Sequence, residues 1–195
     1  MTGSQSGFRW MTSGQSVFLE VFLMKKYLVA TIITLLILLA VSFIPFRQSL
    51  VFYEENTDEV EAYLPMENQG TFQIIFTHSI HLTDVVEKYI VLENQHIQQY
   101  EMIYEEFGIG MPSNAQGEEE FSYEDGKYHI RNMDNVFPEI KLRNGKAVSE
   151  HRLVWGPEHE YITEFNDYFE PGAWFTIKID NLSVWQMMQG VRIHE

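Results

Sequence analysis

The chain has 195 residues, with 13 Lys/Arg against 28 Asp/Glu and no cysteine. A formal charge of −15 argues against nucleic acid as a partner and against attraction of the bulk of the chain to anionic lipid headgroups. The lack of cysteine excludes a disulfide framework and a thiol nucleophile, so the fold must be held by packing, for which 14 Phe and 10 Tyr supply the material.

Residues 1–23 are rich in Ser, Gly and Thr and end on the apolar Val17-Phe18-Leu19. They read as an over-long start ahead of Met24-Lys25-Lys26, a typical bacterial signal start, or else as a short cytoplasmic tail. Tyr27 to Ile44 carries no charged side chain. As a helix it is about 27 Å long, against a bilayer core of about 30 Å. The segment 24–46 is therefore expected to be a signal peptide or a signal anchor. The small residues Ala40-Val41-Ser42 favour cleavage, whereas the bulky Phe43 and continuation to Pro45 favour an uncleaved anchor. Lys25 and Lys26 precede the run, and after Arg47 come nine Lys/Arg against 27 Asp/Glu, a balance of −18. Positive flanks stay inside. The expectation is a single-pass membrane protein with its domain outside the cytoplasm, or a secreted one if the signal is cut.

Residues 47–70 read as linker and first strand (Val51-Phe52-Tyr53), and 71–195 as one extracytoplasmic β domain. Phe72, Ile74 and Phe76 alternate as in a strand with one apolar face. Val85 to Leu92 is a second strand and His96 to Phe107 a longer third, whose mixed spacing suggests a bulge. Gly108-Ile109-Gly110-Met111-Pro112 needs special backbone angles and reads as a shaped loop. Asp125-Gly126 and Asn144-Gly145 each sit between apolar runs and predict hairpins, the second running on to Trp155. Tyr161 to Phe169 is ambiguous, Trp174 to Ile179 is a strand, and Ser183 is placed to cap a short helix through Met188 that ends at Gly190. The sum is an all-β, antiparallel β-sandwich or partly open barrel of seven to nine strands behind one N-terminal transmembrane or signal-anchor helix.

The densest polar cluster runs from Thr77 to Glu87, at the end of one strand and the start of the next, where sites are usually built. Three chemistries fit it. His78 and His81, with Asp84 or Glu87 as third ligand, have the donor types of a zinc-like site, although H-x-x-H spacing alone is weak. Ser79 as a nucleophile lacks a G-x-S-x-G elbow and has its histidine neighbours on the opposite strand face. Structurally, Thr77, Ser79, Thr83 and Asp84 bond the backbone of a tight connection, and His78 with Glu87 forms an internal polar pair. Glu118-Glu119-Glu120 and Glu158-His159-Glu160 read as charged loops with a weak cation-binding alternative. His129, His151, His159 and His194 are scattered. Trp185 with Met187 and Met188 reads as core, or as a contact with membrane or a transmembrane partner.

At Phe76-Thr77-His78-Ser79-Ile80, then Thr83, Val85 and Glu87, then Phe107 to Pro112, the chain resembles a known family, the domain of unknown function numbered 1850. Tyr128 to Met133 and Pro171 to Ile177 follow the same pattern. Asp84 departs from it, standing where proline is frequent. Members of that family are small exported or membrane-anchored bacterial proteins, often encoded beside TRAP-type transporters of the TAXI class. The resemblance implies no enzyme activity and no cofactor. It implies an accessory role in solute transport, with a TRAP-type permease or its solute-binding protein as partner. It marks His78, Ser79, Thr83, Glu87, Gly108, Gly110, Met111 and Pro112 as motif positions without assigned roles. The alternative is a small β domain that binds a metal ion or an anionic solute through His78, His81 and Glu87.

Overall fold

In the computed structural model the described residues are 12–108 and 110–194. The chain divides into two compact units, 1–44 and 45–195. The first holds one helix, α1 (Thr12–Val41). Its stretch Glu20–Val41 is long and apolar enough to cross a membrane, with every side chain exposed to take lipid. The uncharged run thus sits in a longer helix that starts before Met24. Residues 1–11 of the proposed over-long start lie outside the described residues, as does Ile109 of the glycine loop.

The second unit begins with β1 (Arg47–Glu54) and β2 (Val60–Pro65), followed by β3 (Thr71–Thr77), β4 (Asp84–Val91) and β5 (Ile97–Tyr104). Next come β6 (Glu120–Glu124), β7 (Lys127–Phe137), β8 (Ile140–Arg143), β9 (Arg152–Trp155) and β10 (Tyr161–Glu164). A 3-10 turn (Phe165–Asp167), β11 (Trp174–Leu182), α2 (Val184–Gln189) and β12 (Val191–Arg192) complete it. The strands form two sheets, in the orders β12-β2-β1-β11-β8 and β10-β9-β3-β4-β5-β7-β6. All pairings are antiparallel except β12 with β2.

The two sheets share one core, which decides for a sandwich over a barrel. Leu50, Phe52, Phe175 and Ile177 from the five-stranded sheet pack with Phe72, Ile74, Tyr89 and Leu153 from the seven-stranded one. Alternation along each strand sends every second residue inward. Phe52, Phe165, Phe169 and Phe175 meet with ring centroids 4.6–5.8 Å apart, distances at which aromatic pairs attract beyond their buried area. A second cluster, Val85, Met102, Tyr104, Ile130 and Met133, lies further along the seven-stranded sheet, with Met111, Phe121 and Tyr128 packed against it.

Several expectations hold. The Asp125-Gly126 loop closes β6 onto β7 with Glu124 opposite Lys127, and both loop residues have positive φ (51° and 82°), as a primed turn requires. The bulge in β5 is real: Lys88 and Tyr89 face Glu101 and Gln99, which leaves Tyr100 without an opposite residue. Ser183 caps α2 in a full capping box with Gln186, and Gly190 ends the helix.

Others need correction. Asn144-Gly145 is not a hairpin turn, because β8 pairs with β11 whereas β9 pairs with β3 and β10 in the other sheet. Asn144 is fully buried, and its Nδ2 donates to Asn166 Oδ1 and to the carbonyls of Phe169 and Glu170. The side chain thus fastens the 165–170 segment while the backbone crosses between sheets. The stretch after Arg47, read as linker with one short strand, forms two strands, and β1 is the middle strand of its sheet. The count is twelve strands among the described residues rather than seven to nine.

Candidate functional site

The β3–β4 connection is built on hydrogen bonds that its own residues supply. Thr77 Oγ1 donates to Asp84 Oδ1 at 3.0 Å, and Arg152 Nη2 lies 2.7 Å from the same oxygen. Above that base the His78 N–H donates to Thr83 O and the Leu82 N–H to His78 O. Leu82 is held at a φ of 57°, which a branched residue rarely adopts. The constrained loop pushes Ile80 and Leu82 outward, at 59% and 66% exposure. Ser79 is also exposed.

The glycine loop follows β5. The Met111 N–H closes a turn on Gly108 O, with Gly110 at a φ of 91°. Met111 then reaches the second core cluster, and Tyr104 Oη donates to Pro112 O. The loop is thereby pinned over the end of the seven-stranded sheet.

These two loops meet. The rings of His78 and His81 stack with centroids 5.3 Å apart. A Cβ on Gly108 would stand 2.8 Å from His78 Cε1 and 3.1 Å from His81 Cδ2. A side chain at 108 would therefore displace the imidazole rings, and glycine lets both histidines sit against the loop backbone. His81 Nδ1 sits 3.0 Å from Glu106 Oε2, and the His78 Nδ1 accepts the Ile80 N–H at 3.4 Å. Around the contact is an open depression of about 500 Å³, lined by Ile80, His81, Phe107, Gly108, Met111 and Ser113. Phe107 is exposed on its rim and packs on Tyr128, with the rings tilted by 44° and centroids 4.2 Å apart.

The structure thus brings together His78, His81, Gly108, Gly110, Met111 and Pro112, with Thr83 closing the loop. It does not bring Glu87 to them. Glu87 lies three residues along β4 from Asp84, about 10 Å at the rise of a strand. It shares the inward face of β4 with Val85 and Tyr89, opposite Ile74 and Met102. Tyr89 Oη donates to Glu87 Oε2 at 2.7 Å. Burial pushes the Glu87 carboxyl above its ordinary pKa, only partly offset by that hydrogen bond. The expected His78–Glu87 pair and the His78/His81/Glu87 chelate are accordingly not formed. Among the described residues no group of three His, Cys, Asp or Glu side chains is placed to hold a metal ion.

Sequence reasoning missed Glu106, which pairs with His81 and stands directly before the motif that begins at Phe107, where strand-end position was the available signal. Phe107 itself walls the depression. Also missed was a charged ladder on the outer face of the same sheet. Glu101 accepts from Lys88 Nζ at 2.8 Å and lies 3.2 Å from His129 Nδ1 and 3.3 Å from Arg131 Nε. Arg131 continues to Glu124 through two bonds of 2.9 Å, which hold that exposed carboxyl at about 2.

No curated protein and no solved structure matches the chain. One family model does, over residues 72–161, a range that takes in both loops of the site and the strands that present them. Its description is Domain of unknown function (DUF1850), and it is to this family that residues 72–161 are similar.

Proposed function

We propose that this protein is a non-enzymatic accessory subunit, anchored by α1 with its β domain outside the cytoplasm. In this reading it contacts a TRAP-type permease of the TAXI class, or that permease's solute-binding protein, through the joined loops 78–83 and 105–113. The observation that carries the site is the seating of His78 and His81 on Gly108. It rigidifies a surface whose outward groups are Ile80, Leu82 and Phe107, rimmed by the His81–Glu106 pair. Exposed apolar groups with a polar rim on a preorganised loop pair suit a protein contact. The choice of transporter rests on the family resemblance, and the orientation rests on Lys25 and Lys26 before the span.

The test is a pull-down of the tagged chain from its own membranes, with identification of partners by mass spectrometry. The expected result is recovery of a TRAP permease or its binding protein with the native chain. A Leu82→Asp, Phe107→Ala double variant should lose that partner while remaining in the membrane. Purification of the intact transporter without this chain, alongside recovery of the chain alone, would overturn the reading.

A further inference from the structure

Two segments of this chain carry no acidic residue and one arginine each. From Val41 to Tyr53 the only charge is Arg47, and from Asn181 to His194 the only formal charge is Arg192, in a chain with 28 Asp/Glu. The fold lays these two segments side by side. Arg47 pairs with Leu182 across β1 and β11, and the Phe46 N–H donates to Leu182 O. Arg47 and Arg192 also line one cleft of about 530 Å³. Neither forms an ion pair with a carboxylate among the described residues.

The same region carries an apolar face. Met187 turns inward and packs α2 onto Val51, Tyr53, Val60, Tyr63 and Leu182. That contact fixes the outward side of α2, where Val184, Trp185 and Met188 are exposed, with Val191 beyond the helix and Phe46 at the start of the domain. Met188 is 66% exposed and Phe46 62%. Tryptophan beside aliphatic side chains and arginine is the composition of a membrane–water interface, where the indole sits at headgroup level and guanidinium groups meet phosphate.

Chain length supplies the argument for what covers it. Five residues, 42–46, separate the end of α1 from the start of β1. They span at most about 18 Å when fully extended, so a bilayer crossed by α1 is within reach of Arg47. A tether this short raises the effective concentration of the face at the lipid surface, and a small contact suffices where a free domain of net negative charge would drift away.

We infer that the face formed by Val184, Trp185 and Met188, with Phe46 beside it and flanked by Arg47 and Arg192, rests in the headgroup layer of the bilayer that α1 crosses. The face lies outside residues 72–161 and does not depend on the transporter reading or on which side of the membrane the domain occupies.

The experiment uses the full chain in vesicles of phosphatidylcholine and phosphatidylglycerol, with lipids brominated at shallow acyl positions and iodide on both sides. The Trp185 contribution is the difference between the native chain and Trp185→Phe. The expected result is quenching of that contribution by brominated lipid, protection from iodide, and loss of both in Met188→Lys, whose Trp185 emission in detergent stays that of the native chain. Trp185 open to iodide and indifferent to brominated lipid would overturn the assignment. Protection from iodide without quenching by lipid would also overturn it, since a second copy of the chain would then be covering the face.

Discussion

Asn144 shows how one atom decides a local fold. Its Nδ2 faces three acceptors, the Asn166 side chain and the Phe169 and Glu170 carbonyls, while its Oδ1 has no partner. Asn144→Asp keeps the shape but turns the donor into a second oxygen, leaving a buried charge among acceptors. The expected loss is about 3–5 kcal/mol, read by urea unfolding; a change below measurement error would show that the segment 165–170 is held by something else. Gly108→Ala drives a methyl into the His78 ring, 2.8 Å from its nearest carbon. Overpacking of this kind costs about 1–3 kcal/mol, and because the ring is the yielding part, the imidazole NMR signals of both His78 and His81 should move. Unshifted histidine signals would mean that the loops do not touch. Glu87 gives a pH test. Burial raises its folded pKa, so the folded state holds the proton more tightly than the unfolded one. Stability from this site is full below the ordinary carboxylate pKa of about 4.3 and declines as pH rises through the raised folded value. Glu87→Gln, whose carbonyl still accepts from Tyr89, should therefore match the native chain at low pH and become relatively more stable towards neutrality. A difference that is constant with pH would remove Glu87 as the titrating group. T-H-S and G-x-G-M-P were legible in the sequence as two strand-end motifs, and the structure brings their histidine and glycine together. The role of Glu87 was not legible, because a sequence cluster was read as a spatial one. Period-two alternation puts Glu87 on the face of Tyr89, two residues on, rather than beside His78.

Strands were legible wherever one face was apolar and the turn chemistry was local. β3, β4 and the Asp125-Gly126 hairpin needed only residues within the element. Asn144-Gly145 carries the same dipeptide type and fails as a hairpin, because the partners of β8 and β9 lie in different sheets and pairing is chosen by the core rather than by the turn. β12 has two residues and owes its place to β2, so no periodic pattern was available to announce it. The outer ladder was equally hidden, since Lys88, Glu101 and Arg131 lie on three different strands and meet only through registers that bulges have shifted. Burial tends to raise the Glu101 carboxyl, but the Lys88 and His129 hydrogen bonds and the Arg131 charge outweigh it and hold the pKa below its ordinary value. A depressed carboxyl contributes stability that is present above its unfolded pKa and lost as pH falls through the folded value. Glu101→Gln should thus cost about 1–3 kcal/mol at neutral pH, and the deficit should shrink in acid as the native carboxyl is itself protonated. Chemical denaturation at pH 7 and pH 3 measures it; an equal deficit at both values would mean that packing, not charge, joins β4, β5 and β7.

For the molecule as a whole, the sign and position of charge relative to α1 make the strongest statement about location. Lys25 and Lys26 stand before the apolar run, and the domain that follows Arg47 carries a balance of −18. Acidic residues contribute little to orientation, so the proposal of an outside-facing domain rests on the two lysines. The chain has no cysteine, which gives a labelling experiment without background. Glu158→Cys places one thiol in an exposed loop of the β domain. In intact cells a membrane-impermeant maleimide should modify it fully, and combining it with Lys25→Glu and Lys26→Glu should lower the modified fraction, as some chains insert the other way round or fail to insert. If Glu158→Cys reacts only after permeabilisation, the domain lies in the cytoplasm, and a contact with an extracytoplasmic solute-binding protein is ruled out with it. Full labelling leaves the permease and the binding protein as geometrically possible partners. It also places the His78–Gly108 surface on the side where a substrate would be delivered, which is what an accessory subunit of an importer requires.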